Sequence, residues 1–255
     1  MTENYETKPG VKIPARENSL PKRFYKEVSI AEAEGGYAVL LDGRPVKSPA
    51  KQGLTLPTRA MAELVAGEWA AQGERIDAPA MPATRLCFVA IDLIPGARDA
   101  TIAEVTKYAS TDLVCFRAPE PPELAAAQAA SWDPVIAWAR SALDAHFVPA
   151  PGVMPIDQDP VALQRVMQRA GACDNWRLTT LAHVTAVCGS ALLGLALLDG
   201  EIDGDKAFVL STLDEHFQIS QWGEDHEATD RLARLRTELR VMHDVLRALD
   251  AAPAA

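Results

Sequence analysis

A proline cluster at Pro119, Pro121 and Pro122 divides the chain into two parts whose hydrophobic patterns differ. Proline lacks a backbone N–H, so the cluster interrupts any helix or strand. Strand-like alternation appears before it, and apolar residues recur at helical spacing after it. We predict an α+β fold, with a small N-terminal antiparallel β-containing domain followed by a mainly α-helical C-terminal domain. The predicted ranges are 1–20 for a flexible N-terminal arm, 21–118 for the β-containing domain with flanking helices, and 123–250 for the helical domain.

Short strands are predicted around a tight turn at Asp42-Gly43 in the first part. Both central residues of such a hairpin turn need positive φ, which Asp-Gly pairs accept. Pro45 moves the return strand toward a sheet edge, because it cannot donate to a ladder. The predicted strands are 25–30, 37–41, 44–47 and 54–56, with a further strand or buried extended stretch at 112–116. The predicted helices of this part are 57–69, 84–94 and 97–108.

The second part is predicted to consist almost wholly of helices. The last of them has the clearest pattern, because its leucines and a methionine recur every three or four residues and form one apolar stripe. Such a stripe indicates a helix that docks on its own domain rather than a coiled coil between chains. The predicted helices are 124–147, 160–171, 175–198, 204–222 and 226–249.

The charge and the cysteines restrict the class of protein. The 255 residues contain 25 Lys and Arg against 35 Asp and Glu, a net charge of −10, which disfavours binding to nucleic acid or anionic membranes. The four cysteines lack zinc-site spacing, which favours buried free thiols in a reducing compartment. The N-terminus has no apolar core, and the longest apolar run, 186–198, is too short to span a bilayer. We therefore predict a cytoplasmic bacterial protein without direct membrane insertion.

Short catalytic motifs are missing from the sequence. It contains no GxxxxGK[ST], GxGxxG, GxSxG or HExxH pattern. His183 falls in an apolar helix, so we interpret it as a core histidine rather than a catalyst. These absences weigh against the common enzyme classes, and we predict no catalytic residue, metal or cofactor.

One acidic segment, 213–228, contains many side chains that can act in binding or catalysis: acids, two histidines and a tryptophan. Most of the excess negative charge lies around it, because residues 199–250 contain 13 acids and 6 bases. On a helix, Glu215, Gln218 and Trp222 share one face. Leu210, Leu213 and Phe217 lie on a neighbouring face and are expected to anchor this helix to the core. Gly223 would end it, and Asp225 would cap the next one.

Three interpretations of this segment remain open from the residues alone. It is a helical corner with capping acids, a protein-binding face anchored by the tryptophan, or a metal or acid/base site. The third would use a set of acids and histidines: Asp214, His216, Asp225, His226 and Glu227. Two of these, Asp214 and His216, would diverge by about 200° on a helix, which disfavours joint ligation.

Several motifs, in their order and spacing, carry a resemblance to a known family. They are Arg23-Phe24-Tyr25-Lys26, the run 41–49, Glu68-Trp69, the run 81–86, Thr111-Asp112-Leu113, and the segment from Asp214 to Ala228. The chain resembles the F-type ATP synthase assembly chaperone family whose members bind the unassembled alpha subunit of the catalytic sector. One small departure is Ser48, where the family often has threonine.

The resemblance implies an ATP-independent chaperone, not an enzyme, that prevents aggregation of free alpha subunit until alpha pairs with beta. It implies a monomer when free, located in the cytoplasm of bacteria and in the mitochondrial matrix for eukaryotic relatives. Glu215, with Asp214 as second choice, takes the family's acidic functional position. The other motif positions carried over as partner-binding residues are Gln218, Trp222, Gly223, Asp225 and Glu227.

Two alternative functions stay open at this stage. One is a metal-dependent hydrolase that uses the acidic and histidine residues of 214–227. The other is a scaffold for a different protein client, to which the strand bearing Arg44 and Lys47 would add by β-augmentation.

Overall fold

The structure, a computed structural model, describes residues 20–152, 154, 156–223 and 226–251, so nearly all of the predicted arm 1–20 lies outside the described residues. Its N-terminal strands form one small antiparallel sheet. The strands are β1 (Val28–Ala33), β2 (Gly36–Leu41), β3 (Arg44–Pro45) and β4 (Thr55–Leu56). Strand β2 pairs with each of the other three. The predicted turn is confirmed, because Asp42 and Gly43 have φ of 47° and 76°.

Three helices follow the sheet: α1 (Arg59–Ala70), α2 (Pro82–Asp92) and α3 (Ile94–Ser110). The Thr58 hydroxyl begins α1 by accepting the Met61 N–H at 3.1 Å, and it donates to the Ala248 carbonyl at 2.7 Å. Pro95 lies in the first turn of α3, where its missing N–H leaves no helical hydrogen bond unmade. This first part of the chain is therefore tied directly to its C-terminal end.

In the remaining described residues, the regular structure consists of seven helices and a two-residue parallel ladder between β5 (Phe116–Arg117) and β6 (Ala150–Pro151). The helices are α4 (Pro122–Leu143), α5 (Pro160–Gly171), α6 (Asn175–Cys188), α7 (Ala191–Leu198), α8 (Gly204–Ser211), α9 (Leu213–Trp222) and α10 (His226–Asp250). A small antiparallel sheet at the N-terminal end and a helical C-terminal part confirm the predicted α+β class.

Two predicted helices are each divided in the structure. The predicted helix 175–198 breaks at Gly189, whose φ is 65°, and the Ser190 hydroxyl starts α7 by accepting the Leu193 N–H at 3.0 Å. The predicted helix 204–222 breaks at Thr212, whose hydroxyl donates to the Phe208 carbonyl at 2.7 Å. Both breaks lie in sequence that stays apolar at helical spacing, so periodicity alone does not reveal them. At 112–116 a single 3₁₀ turn, Leu113–Cys115, precedes β5.

One continuous hydrophobic core includes side chains from both predicted domains. Buried residues such as Leu56 and Met61 belong to the same cluster as Leu239 and Val245 of α10. Helices α2 and α3 pack on α6, and α10 also contacts α1. Because the two predicted domains share this core, the core does not mark a boundary between them, and the division at 119–122 stays a prediction.

All four cysteines are buried and free, as predicted. Desolvation raises the pKa of the Cys115 and Cys188 thiols to about 12, which keeps them protonated near neutral pH. Among the described residues, no helix is long and apolar enough to cross a membrane.

Close contact between α8 and α10 gives a testable prediction. A Cβ at Gly204 would lie 2.6 Å from the Leu239 carbonyl oxygen and 2.7 Å from the Arg240 Cα, both backbone atoms. We expect Gly204→Ala to destabilise the fold by about 2 kcal/mol, because the two helices must separate. The matched control is Gly67→Ala on the exposed face of α1, where a Cβ meets nothing within 4 Å. Urea unfolding should show a loss for the first variant and no loss for the second; equal midpoints would contradict the expectation.

Candidate functional site

Helix α9 lies on the surface and contains no buried residue. Helix α4 holds it in place through Gln128, which is buried. The Gln128 amide donates from Nε2 to Asp214 Oδ1 at 2.8 Å, and its oxygen accepts the Ala118 N–H at 2.7 Å. Trp132 of α4 also donates from Nε1 to the Leu210 carbonyl at 3.0 Å, just before α9. Asp214 is thus engaged in anchoring α9 to α4.

Glu215 faces α10 and forms an ion pair with Arg231. The Glu215 side chain is 29% exposed and that of Arg231 is 54% exposed, so the pair lies at the surface. This ion pair holds α9 against α10 and fixes the orientation of the Glu215 carboxylate. A partner approaching this corner would meet both charges together.

Trp222 is the last residue of α9, and 81% of it is exposed. The helix ends there because Gly223 adopts a φ of 93°, and the Gly223 N–H donates to the Ile219 carbonyl at 2.8 Å. Gln218 is also exposed. An aromatic side chain fixed at a helix end and exposed to water can anchor a binding partner.

The remaining predicted positions lie at the start of α10. Glu227 is exposed in the first turn of α10, where a negative charge is favoured by the helix dipole. Asp225 lies outside the described residues, so its predicted cap stays a prediction. The structure thus places Glu215, Trp222 and Glu227 at one helical corner, which we call the α9–α10 corner.

The predicted anchoring face of α9 is only partly correct. Leu210 is fully buried, but it belongs to α8 because the predicted helix is divided. Leu213 packs partly buried against the core. Phe217 is half-buried but does not belong to the side chains that pack on the core. Helix α9 is therefore anchored by Leu213 together with Ile219, which also packs partly buried against the core, and not by Phe217.

The described residues offer no metal site at this corner. No three of their His, Cys, Asp and Glu side chains are close enough to hold an ion. His216 Nδ1 lies 2.9 Å from the Thr212 carbonyl, and its ring packs edge-on against Phe208 at 5.6 Å. Asp225 and the side chain of His226, two of the five residues of the hydrolase interpretation, lie outside the described residues, so that interpretation is not tested at these two positions.

The strand that would serve β-augmentation is already paired. The Val46 N–H donates to the Val39 carbonyl at 2.9 Å, and the Val46 carbonyl accepts the Leu54 N–H at 3.1 Å. Among the described strands, β3 pairs with β2 and lies at the end of the strand order. It is only two residues long and contains Pro45, which has no N–H to donate, so it offers an added strand few main-chain hydrogen bonds.

A groove between α2, α3 and α6 was not predicted. Its volume is about 380 Å³, and Leu86, Val89 and the 60% exposed Leu93 line it. Beside it, Glu238 of α10 lies 2.7 Å from Arg85 and 3.1 Å from His183. The hydrogen bond to His183, followed by the charge of Arg85, holds the pKa of Glu238 below its ordinary value. The run 81–86, which lines part of this groove, was one of the motifs of the family resemblance, but no function was predicted for it. His183 is therefore a half-buried histidine whose Nε2 lies next to the Glu238 carboxylate.

The helical fold and the exposed α9–α10 corner define a protein whose surface is suited to binding another protein. A sequence model of the family described as ATP12 chaperone protein matches residues 22–140. The chain is 22% identical over 240 residues to the mitochondrial protein atp12 of Schizosaccharomyces pombe, covering 88% of this chain and 80% of that protein.

Solved structures agree with this match. The crystal structure of Atp12 from Paracoccus denitrificans is 41% identical with a TM-score of 0.82, and the match covers 89% of this chain and 98% of the other. A protein from Agrobacterium tumefaciens is 41% identical with a TM-score of 0.85, covering 90% and 87%. The chain belongs to the ATP12 chaperone family. The family predicted from the sequence is confirmed, and with it an assembly chaperone of ATP synthase.

Proposed function

We propose that this chain binds the free alpha subunit of the catalytic sector of F-type ATP synthase and holds it until alpha pairs with beta. The family membership supports the assembly role, and the 81% exposure of Trp222 on an anchored helix is the observation that carries the binding surface. Binding alone performs this task, so the protein acts without catalysis and without ATP. We place it in the bacterial cytoplasm as a monomer when free.

In this mechanism the chaperone binds reversibly to the surface of free alpha that its beta neighbours will later bury. An unassembled alpha subunit exposes surface that its beta neighbours will later bury, and large patches of that kind aggregate. Trp222 would fill an apolar pocket on alpha, while the acidic region 199–250 steers the encounter toward basic groups. Beta then displaces the chaperone by competing for the same surface of alpha.

Sedimentation of purified subunits tests this function. Mixed with purified alpha, the chain should form a stable complex and reduce light scattering from aggregating alpha. Added beta should release the chain as alpha–beta pairs form, with the same result whether ATP is present or removed. Absence of a complex with alpha, or a complex with beta alone, would contradict the proposal.

Glu215 can be tested separately from the fold. We expect Glu215→Lys to weaken alpha binding by about tenfold, because it places a cation beside Arg231 and reverses the charge offered to the client. The matched control is the swap Glu215→Arg with Arg231→Glu, which restores the intramolecular ion pair with reversed polarity. If the swap also binds weakly, Glu215 contacts alpha; full affinity of the swap would show that only the α9–α10 ion pair matters.

A further inference from the structure

A cleft of about 590 Å³ opens beside the N-terminal sheet, on residues that the proposed function does not use. Three motifs that carried the family resemblance meet there: the run 23–26, the run 41–49 and the pair Glu68-Trp69. Its volume lies in the range of ordinary binding pockets. We call it the basic cleft, and its lining includes Phe24, Tyr25, Asp42, Arg44, Lys47 and Trp69.

Some side chains of these motifs maintain the local structure. The buried Tyr25 hydroxyl donates to the Trp69 carbonyl at 2.7 Å. Asp42 Oδ1 accepts the N–H groups of Lys26 at 3.0 Å and of Glu27 at 2.8 Å. The Arg23 guanidinium lies 4.5 Å from the Tyr25 ring centroid. Folding therefore accounts for Tyr25, Asp42 and Arg23.

The local structure does not explain Phe24, Arg44 and Lys47. Phe24 is 72% exposed, although its ring contacts Tyr25 edge-on at 5.3 Å. Arg44 and Lys47 are exposed, and neither side chain forms an ion pair or hydrogen bond with the described residues. By contrast, most arginines elsewhere pair with acids, as Arg169 does with Asp199. The basic cleft thus presents an uncovered aromatic ring beside unpaired cations.

The charge around the cleft is opposite to that of the α9–α10 corner. Residues 20–56 contain six bases and four acids, while residues 199–250 contain 13 acids and 6 bases. Asp42 is the one acid among the described residues that line the cleft, and its Oδ1 already accepts two backbone N–H groups. The positive charge of the cleft therefore favours a negatively charged binding partner.

We propose that the basic cleft is a second client-binding site, which holds an acidic segment of the client subunit carrying an exposed apolar side chain. The apolar side chain packs on Phe24, and flanking carboxylates pair with Arg44 and Lys47. This inference rests on the proposed function, because its occupant is the protein client. Binding through two surfaces of opposite charge gives the client a fixed orientation, which one exposed tryptophan cannot provide.

Peptide binding and client binding test the cleft independently. The probes are a short peptide of alternating Glu and Leu, the same peptide with Gln for Glu, and purified alpha subunit. The variants are Phe24→Ala and the double change Arg44→Glu/Lys47→Glu. The matched control, Arg59→Glu/Lys107→Glu, makes the same charge change at exposed cations of α1 and α3 that lie outside both proposed surfaces.

We expect the acidic peptide to bind the wild-type chain and the Gln peptide to bind about tenfold more weakly, with the difference shrinking at about 0.5 M salt. Each cleft variant should lose about tenfold in affinity for both acidic peptide and alpha, and the control should lose neither. Equal affinity of the cleft variants for the acidic peptide would overturn the inference.

Two further outcomes separate this inference from its premise. Full binding of alpha by the cleft variants would leave the proposed function intact and remove the cleft from it. A wild-type chain that binds the acidic peptide but not alpha would refute the proposed client, and with it the client assignment of the cleft. Tighter peptide binding after deletion of residues 1–19 would make the chain's own N-terminal arm the occupant, and would also overturn the assignment.

Discussion

A chain with Trp222→Ala is expected to bind free alpha subunit about thirtyfold more weakly while unfolding at the same urea concentration as the wild type. Removing a central aromatic anchor from a protein interface typically costs about 2 kcal/mol or more in binding. Trp222 is 81% exposed in the free chain and is not among the side chains that pack on the core, so its loss removes little buried area from the fold. Trp222→Ala should therefore lower the affinity for alpha without lowering the free energy of unfolding.

Titration calorimetry with purified alpha, paired with urea unfolding of each variant, measures both quantities. Val161→Ala is the matched control, because Val161 of α5 is 53% exposed and lies outside every proposed surface. It should change neither affinity nor stability. Unchanged alpha affinity in Trp222→Ala would remove the α9–α10 corner from the client interface, and a lowered unfolding midpoint would show that Trp222 packs in the fold.

Part of the fold could be predicted from the sequence alone, and part could not. The Asp42-Gly43 turn, the strands and most helices follow from local chemistry, because turn residues and hydrophobic spacing act over a few residues. The breaks at Gly189 and Thr212 were not predicted, because the apolar residues continue at helical spacing through both, although the Ser190 and Thr212 hydroxyls form only local hydrogen bonds there. The family could be recognised from ordered motifs, but motif membership did not indicate what each residue does.

Glu68 illustrates the difference between motif and role. It belongs to a motif beside Trp69, but only the structure shows that its carboxylate caps α2, accepting the N–H groups of Ala83 and Thr84 at 2.7 Å each. Burial raises the pKa of Glu68, while these hydrogen bonds oppose the rise. Phe24 shows the converse, because a residue expected within a strand-rich unit is left in water. Long-range partners decide both roles, and no local pattern encodes them.

Asp112, from the motif Thr111-Asp112-Leu113, also acquires its role through distant partners. Its fully buried carboxylate accepts the Leu192 N–H at 3.0 Å and the Val114 N–H at 3.2 Å, as well as the Ser190 hydroxyl. It therefore ties the turn after α3 to the N-terminus of α7. Desolvation raises the pKa of Asp112 to about 6 despite these hydrogen bonds.

We expect Asp112→Asn to lower the free energy of unfolding by about 3 kcal/mol at pH 7, because an amide N–H would face a donor or leave one unpaired. For a chain of this size the melting temperature should fall by about 6–12 °C. Asp99→Asn on the exposed face of α3 is the matched control and should change little. A melting temperature within about 2 °C of the wild type would contradict this anchoring role.

The pH dependence of the same variant tests the raised pKa of Asp112. A folded pKa of about 6, against an unfolded value of 3.8, means that the folded chain binds the proton more tightly. This contribution to stability is complete below the unfolded pKa and is lost as pH rises through the folded pKa. Between pH 7 and pH 5 the wild type should gain about 1.4 kcal/mol over Asp112→Asn, which lacks the titrating group. Urea unfolding at both pH values measures this gain, and the other carboxylates cancel because the two chains share them. An equal difference at both pH values would mean that the Asp112 carboxyl does not take up a proton in this range.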